Sequence, residues 1–331
     1  MTYSPRFKRW LIMMFVSVLM AVLVLLLSIM LGERSIPPLD AIRTLLGLDD
    51  QGEYRYTILT LRFPRALVGF LAGGGLALAG VILQAITRNP LASPGVLGLN
   101  SGAAAAAVAI IVLVPSFPMS QLPLVAFGGA VIAATLIYTL SWNKGSSPVR
   151  LLLVGIGISA MAGALITYLL TAGGIFRVTQ ASIWMAGSLY GRTWEHVFPL
   201  LFWLAVLFPI TLILSRHLDV LQFEDNTSTG LGVRLERMRV FCLLVSVALA
   251  GAAVSMAGTI GFVGLMAPHI CRPLIGGRSK WLLPAAMITG GLLVMTADLL
   301  GRTLFTPYEI PVGIMTAIIG APYMVYLLLR R

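Results

Sequence analysis

Arg62-Phe63-Pro64-Arg65 sets two guanidinium groups on either side of a proline, whose stiffened turn fixes the direction in which they project. Guanidinium forks suit carboxylates on a partner protein, and anchoring to lipid phosphates is the other reading of the pair. Asp298 stands near the end of an apolar run with Arg302 four positions on, a spacing at which an ion pair within one helix accounts for both. A carboxylate at membrane depth could also relay protons. The stretch from Arg216 to Arg239, RHLDVLQFEDNTSTGLGVRLERMR, is the one long polar segment in the middle of the chain. Asp225, Asn226, Thr227 and Ser228 are good helix N-caps and Gly230 supports a tight turn, so the segment predicts short helices that offer a docking ridge. His269, Cys242 and Cys271 lie in or beside apolar runs without metal-ligand spacing or a disulfide framework. They read as packing residues, and no bound metal is expected.

Two other stretches could line a pathway. Asn89-Pro90-Leu91-Ala92-Ser93-Pro94-Gly95 must interrupt a helix, and irregular backbone at membrane depth requires a packed interface or a water-filled cavity around it. The run Val178 to Gly191 is too short for a comfortable crossing and reads as re-entrant or interfacial. Within it, Trp184, Met185 and Tyr190 could face a bulky ligand across a central cavity or lie flat as an aromatic belt.

Composition sets what must position these groups. The chain has 331 residues, of which 58% are hydrophobic and 11% charged, and its mean hydropathy is +0.95. No soluble core of this size holds so much apolar side chain, so the chain is an all-α integral membrane protein. The net charge of +11 is scattered between apolar runs rather than gathered into a stripe, which argues against nucleic acid as a partner. Uncharged runs of membrane-spanning length begin with Trp10 to Leu31, which is longer than a signal-peptide core, lacks a small-x-small cleavage site and stays as the first span. The run Leu91 to Asn143 must hold two helices turning near Pro115 to Pro123, and Val240 to Cys271 holds two more, broken at Gly258. The reading is about ten spans. With ten spans and the N-terminus inside, most of the 23 lysines and arginines fall in cytoplasmic loops, and a full crossing by Val178 to Gly191 would reverse that. Both termini and the 216–239 loop are therefore expected on the cytoplasmic side of a single membrane domain spanning residues 1–331. Gly69 and Gly73 stand in GxxxG spacing, which predicts close helix packing.

Taken together, Arg62-x-Pro64-Arg65, Asn89-Pro90-Leu91-Ala92-x-Pro94, the stretch Gly258 to Arg272, Asp298 with Arg302, Glu309-Ile310-Pro311-Val312-Gly313 and Gly320-Ala321-Pro322 resemble the FecCD family. Its members are permease subunits of ATP-binding-cassette importers for iron-siderophore complexes, with vitamin B12 and haem permeases as close relatives. The resemblance covers nearly the whole chain. It implies a pathway between two permease subunits, identical or different, in the bacterial cytoplasmic membrane. It also implies a periplasmic or lipoprotein binding protein whose acidic residues meet Arg62, Arg65 and Arg302. Two ATPase subunits would dock on the 216–239 loop, at Asp225, Thr227, Gly230, Leu231, Gly232 and Arg234. Where many relatives carry an acidic-x-x-Ala-x-x-Leu-Gly pattern, this chain has Thr227-Ser228-Thr229-Gly230-Leu231-Gly232, which puts helix continuity before Leu231 in question. The sequence contains no GxxxxGK[ST], so ATP and magnesium are expected on the partner chains and no cofactor on this one. The pathway candidates are Asn89, Pro90, Trp184, Met185 and Tyr190. The implied mechanism is alternating access without covalent chemistry.

Overall fold

The computed structural model describes residues 5–32, 34–48, 52–143, 145–230 and 234–329, and every regular element among them is helical. In chain order the α-helices are α1 (Pro5–Met30), α2 (Pro38–Leu45), α3 (Phe63–Thr87), α4 (Leu99–Leu113), α5 (Leu122–Ser141), α6 (Pro148–Ala172) and α7 (Ile175–Met185). They continue with α8 (Trp194–Leu221), α9 (Asp225–Gly230), α10 (Leu235–Ala257), α11 (Val263–Ile275), α12 (Ser279–Thr303) and α13 (Val312–Leu329). Pro38, Pro64, Pro123 and Pro148 each sit in the first turn of a helix, where the missing N–H has no partner to lose.

Among the described residues seven helices are long and apolar enough to cross a membrane: α1, α3 with the π-helical turn Thr57–Arg62 that runs into it, α5, α6, α8, α10 and α12. The helices α4, α11 and α13 are apolar but shorter. The short ones are compensated by irregular backbone that enters the bundle. Residues 89–98 lead into α4, residues 258–262 lead into α11, and the first turn of α4 meets the second stretch where Asn100 Nδ2 donates to the Ile260 carbonyl at 3.3 Å. Ala92, Leu97 and Ile260 are buried, so protein surrounds both breaks, as nonhelical backbone at that depth requires.

The centre of the bundle is α3, nearly all of which is buried. Glycine makes that possible. A Cβ on Gly73 would overlap the backbone of Gly290 in α12, and one on Gly80 would overlap Gly264 in α11. Backbone-to-backbone approach maximises dispersion contact, the term that holds helices together in lipid.

Hydrogen bonds define two ends. At one, α2 and α7 lie beside the starts of α3, α8 and α13 and the ends of α1, α10 and α12, tied by Trp194 Nε1 to the Leu59 carbonyl (2.8 Å), Ser188 N to Ala257 O (2.9 Å) and Gly313 N to Gly187 O (3.1 Å). At the other lies α9. The break at Gly258, which has φ +74°, and the turn between α4 and α5 fall where the sequence expects them. The region around α7 differs. The apolar run Leu151 to Phe176 is not one helix, because α6 stops at Ala172 before Gly173 and Gly174 and α7 then takes in Phe176 and Arg177. With 11 residues, α7 is too short to cross. It ends at Met185, and Gly187 and Gly191, both at φ +68°, turn the chain so that Tyr190 leaves the helix altogether.

Candidate functional site

Arg65 sits in the first turn of α3, and Asp298 lies near the end of α12, whose backbone the glycines bring against α3. That approach lets the fork close: Arg65 Nη2 donates to Asp298 Oδ1 at 2.8 Å and Nε to Oδ2 at 3.0 Å. The remaining arm, Nη1, donates to Glu309 Oε2 at 2.9 Å. Asp298 is 5% exposed, whereas the Glu309 side chain is 36% exposed, so the cluster shows its carboxylate rather than its guanidinium to the outside. Arg302 is buried at 7% exposure. Its Nη2 donates to the Ser28 carbonyl of α1, and its Nε lies 3.9 Å from Asp298. Arg62 donates to the carbonyls of Ile29 (2.7 Å), Met30 (3.0 Å) and Arg34 (2.6 Å), filling acceptors that the end of α1 leaves open. Of the three arginines expected to meet a binding protein, the structure keeps Arg302 inside the bundle and commits Arg62 to backbone. The reason is geometric: four positions after Asp298, Arg302 shares its helix face, and that face packs against α1 rather than solvent.

At the opposite end, α3 stops at Arg88, a C-cap residue with φ +49°. Arg88 Nε donates to the Leu221 carbonyl at the end of α8 (3.0 Å), and its Nη2 makes an ion pair with Asp225, the first residue of α9. Asp225 also accepts from Arg239 Nη2 of α10 at 2.6 Å. Arg239 is 2% exposed and continues the network, with Nη1 donating to Ser146 O at 2.7 Å and to Glu236 at 3.3 Å. Glu236 in turn accepts from Ser146 N (3.0 Å) and Ser146 Oγ (2.8 Å). Partial burial works against the Asp225 carboxylate, but its bonds to Arg88 and Arg239 outweigh that and hold its pKa below the ordinary carboxylate range. Ser228 Oγ donates to Val220 O at 2.9 Å, so α9 is sewn to α3, α8 and α10.

Among the residues expected to touch an ATPase, Thr227, Gly230 and Arg234 are exposed, and Asp225 is half-buried and faces inward. Leu231 and Gly232 lie outside the described residues. The helix runs through Gly230. Sequence reasoning left out Arg88, Glu236 and Ser146; the lone cation one residue past an apolar run was the available signal for Arg88.

A cavity of about 690 Å³ opens near the α7 end between α5, α7, α8 and α10. Trp184, Tyr190 and Trp203 line it together with Gln180, Arg192 and His196. Arg192 Nη1 lies 3.0 Å from His196 Nε2, and the Thr193 amide lies 3.3 Å from His196 Nδ1. The pathway candidates therefore divide. Trp184 and Tyr190 share this cavity, while Met185 instead offers its carbonyl to Thr259 Oγ1. Asn89 and Pro90 lie at the other end beside Arg88, where Asn89 Oδ1 accepts from Leu91 N at 2.9 Å in a local turn. Among the described residues no group of three or more His, Cys, Asp or Glu side chains could hold a metal, and Cys242 and Cys271 are free and buried.

The sequence pattern of the FecCD transport family matches residues 5–330. A Bacillus subtilis (strain 168) protein named "Probable siderophore transport system permease protein YfhA" is 43% identical over 329 residues, 98% of this chain and 95% of that one. The hemin transport system permease protein HmuU of Yersinia pestis is 39% identical over 322 residues, 93% of this chain and 94% of the relative. A solved structure described as an inward-facing conformation of a metal-chelate type ABC transporter superposes with TM-score 0.82 at 28% identity, covering 97% of this chain and 100% of the other.

Proposed function

The chain belongs to the FecCD transport family, and from that membership we propose that it is the permease subunit of an ATP-binding-cassette importer that moves iron(III)-siderophore complexes across the bacterial cytoplasmic membrane. One observation carries the mechanism. The buried rod α3 has the Arg65–Asp298–Glu309 cluster at its first turn and the Arg88–Asp225 ion pair at its last, about 35 Å apart at 1.5 Å per residue from Arg65 to Arg88. A disturbance at either end reaches the other through one rigid element packed backbone to backbone against α11 and α12.

In this reading the α9 end faces the cytoplasm, in keeping with the lysine and arginine bias, and both termini lie there. The whole chain is one permease domain crossing the membrane ten times, and 216–239 is its coupling loop. A loaded binding protein engages the α2/α7 end at Glu309 and Arg65, with Arg62 and Arg302 holding that surface in shape from below. Two ATPase subunits engage Thr227, Gly230, Leu231, Gly232 and Arg234, and ATP and its magnesium stay on those subunits. Asp225 transmits rather than receives: its two arginines make α9 move with α3 and α10. A second permease subunit completes the pathway, and the assembly rocks between outward-open and inward-open states.

Haem is the second cargo reading, favoured by the 39% identity to a hemin permease. Proteoliposomes carrying the chain with its ATPase and binding protein decide between them. Accumulation of a ferric siderophore at a rate that haem does not compete down supports the siderophore reading, and haem uptake alone replaces it.

A further inference from the structure

At the α9 end a pocket of about 610 Å³ opens between α1, α8 and α12, and no residue of α9 lines it. Its floor is Leu212, Ile213 and Pro284, and its rim is Arg216, His217 and Lys280. The rim residues lie about one helical turn beyond the floor on α8 and α12, so the floor sits at hydrocarbon depth when the rim sits at the interface. Trp10 and Trp281 make the side wall. That wall is rigid: Trp10 Nε1 donates to Trp281 O at 3.1 Å, and their rings lie 4.7 Å apart. Lys280 is held over the Trp281 ring, with its ammonium 5.3 Å from the centroid.

Charge is what the pocket leaves unanswered. No carboxylate lines it, and neither Arg216 nor Lys280 joins an ion pair among the described residues. Asp219, the acid nearest in sequence to Arg216, is occupied by the Ser279 amide at 2.7 Å. Scattered basic residues at a cytoplasmic interface need no pocket. Here two cations from different helices converge on a walled cavity whose floor is apolar and whose Ile213 is 75% exposed along the side of α8.

We propose that this pocket holds one anionic phospholipid of the leaflet at the α9 end. Arg216 and Lys280 take the headgroup phosphate, Trp10 and Trp281 flank the glycerol region, and an acyl chain lies along Ile213 and Leu212. The chemistry is that of a basic pocket between transmembrane helices at the cytoplasmic face. The pocket shares Arg216 and His217 with the start of the coupling loop but none of the residues proposed to touch the ATPase, and its test does not depend on the cargo.

The experiment is lipid titration of the purified full chain, followed by native mass spectrometry, with phosphatidylglycerol, cardiolipin and phosphatidylcholine. The wild type retains one phosphatidylglycerol or cardiolipin in preference to phosphatidylcholine. R216Q/K280Q weakens that retention about thirtyfold, the effect of two interfacial charges, and R216K/K280R keeps it. Unchanged retention by R216Q/K280Q, or equal retention of phosphatidylcholine by the wild type, overturns the proposal. Loss of ATPase co-purification by R216Q/K280Q with lipid retention intact also overturns it, since the pocket is then a protein contact. If that variant fails to fold, a photoreactive phosphatidylglycerol on the wild-type chain decides: labelling confined to residues 10, 212–217 and 280–284 supports the site, and labelling spread evenly around the lipid belt removes it.

Discussion

Asp225→Asn keeps the size of the side chain and removes the charge that ties α9 to two arginines. The carboxylate is 48% exposed, so its pairing with Arg88 is screened and contributes about 0.5 kcal/mol. Arg239 is different, because its side chain is 2% exposed and the bond at 2.6 Å is one of the few available to it. Losing a charge-assisted bond at a buried guanidinium costs about 2 kcal/mol. The sum, about 2.5 kcal/mol, raises the undocked fraction of α9 roughly sixtyfold. A helix of six residues has no independent stability, so it melts when it lets go. Hydrogen exchange at the amides of α9 should therefore accelerate by that factor, while α3 and α10 keep their protection. In proteoliposomes with the ATPase present, uptake should fall at least tenfold and ATP hydrolysis should persist, uncoupled. Wild-type exchange in α9 together with wild-type uptake would refute the clamp.

The same carboxylate sets a pH limit. Its folded pKa lies below the unfolded value, so its contribution is fully present above the ordinary carboxylate pKa and disappears as pH falls through the lower folded value. Protection of α9, corrected for intrinsic exchange rates, should be flat from pH 8 to 5 and fall only in stronger acid than an ordinary carboxylate needs. Gly73→Val and Gly80→Val would drive side chains into the backbones of Gly290 and Gly264, and both should fail to yield a monodisperse protein on size exclusion, while Gly128→Ala, in open space, should behave as the wild type. Arg302→Gln removes the cation beside buried Asp298 and frees the Ser28 carbonyl, and the midpoint of thermal unfolding should fall by several degrees. Cys242 and Cys271 should resist maleimide in the intact bundle and react fully in denaturing detergent.

Hydropathy carried much of the architecture. The breaks at Gly258 and between α4 and α5 were legible because proline and glycine interrupt long apolar runs there. The end of α6 was not, since Gly173 and Gly174 are as apolar as their neighbours and only the backbone reveals the stop. In the short helix α2, the polar residues mask a turn that proline starts. Individual arginines were the hardest to read. Sequence showed that Arg62 and Arg65 carry forks but not where the acceptors lie, and Asp298 is 233 residues away from Arg65. Arg302 was legible as the i,i+4 partner of Asp298, but its burial at 7% exposure and its bond to the Ser28 carbonyl were not. Arg88 and Arg239 reach Asp225 across the fold, a convergence that no local spacing encodes.

The account rests on two ends of one membrane protein acting together, and ATP hydrolysis read across a sealed bilayer tests that most directly. Loaded binding protein is added only outside proteoliposomes that contain the chain and its ATPase with ATP inside. The account predicts that hydrolysis rises on addition, that R65Q/E309Q removes the rise, and that D225N removes it as well while basal hydrolysis continues in both. Hydrolysis indifferent to the binding protein, or cargo uptake driven by an ion gradient with no ATPase present, would contradict it.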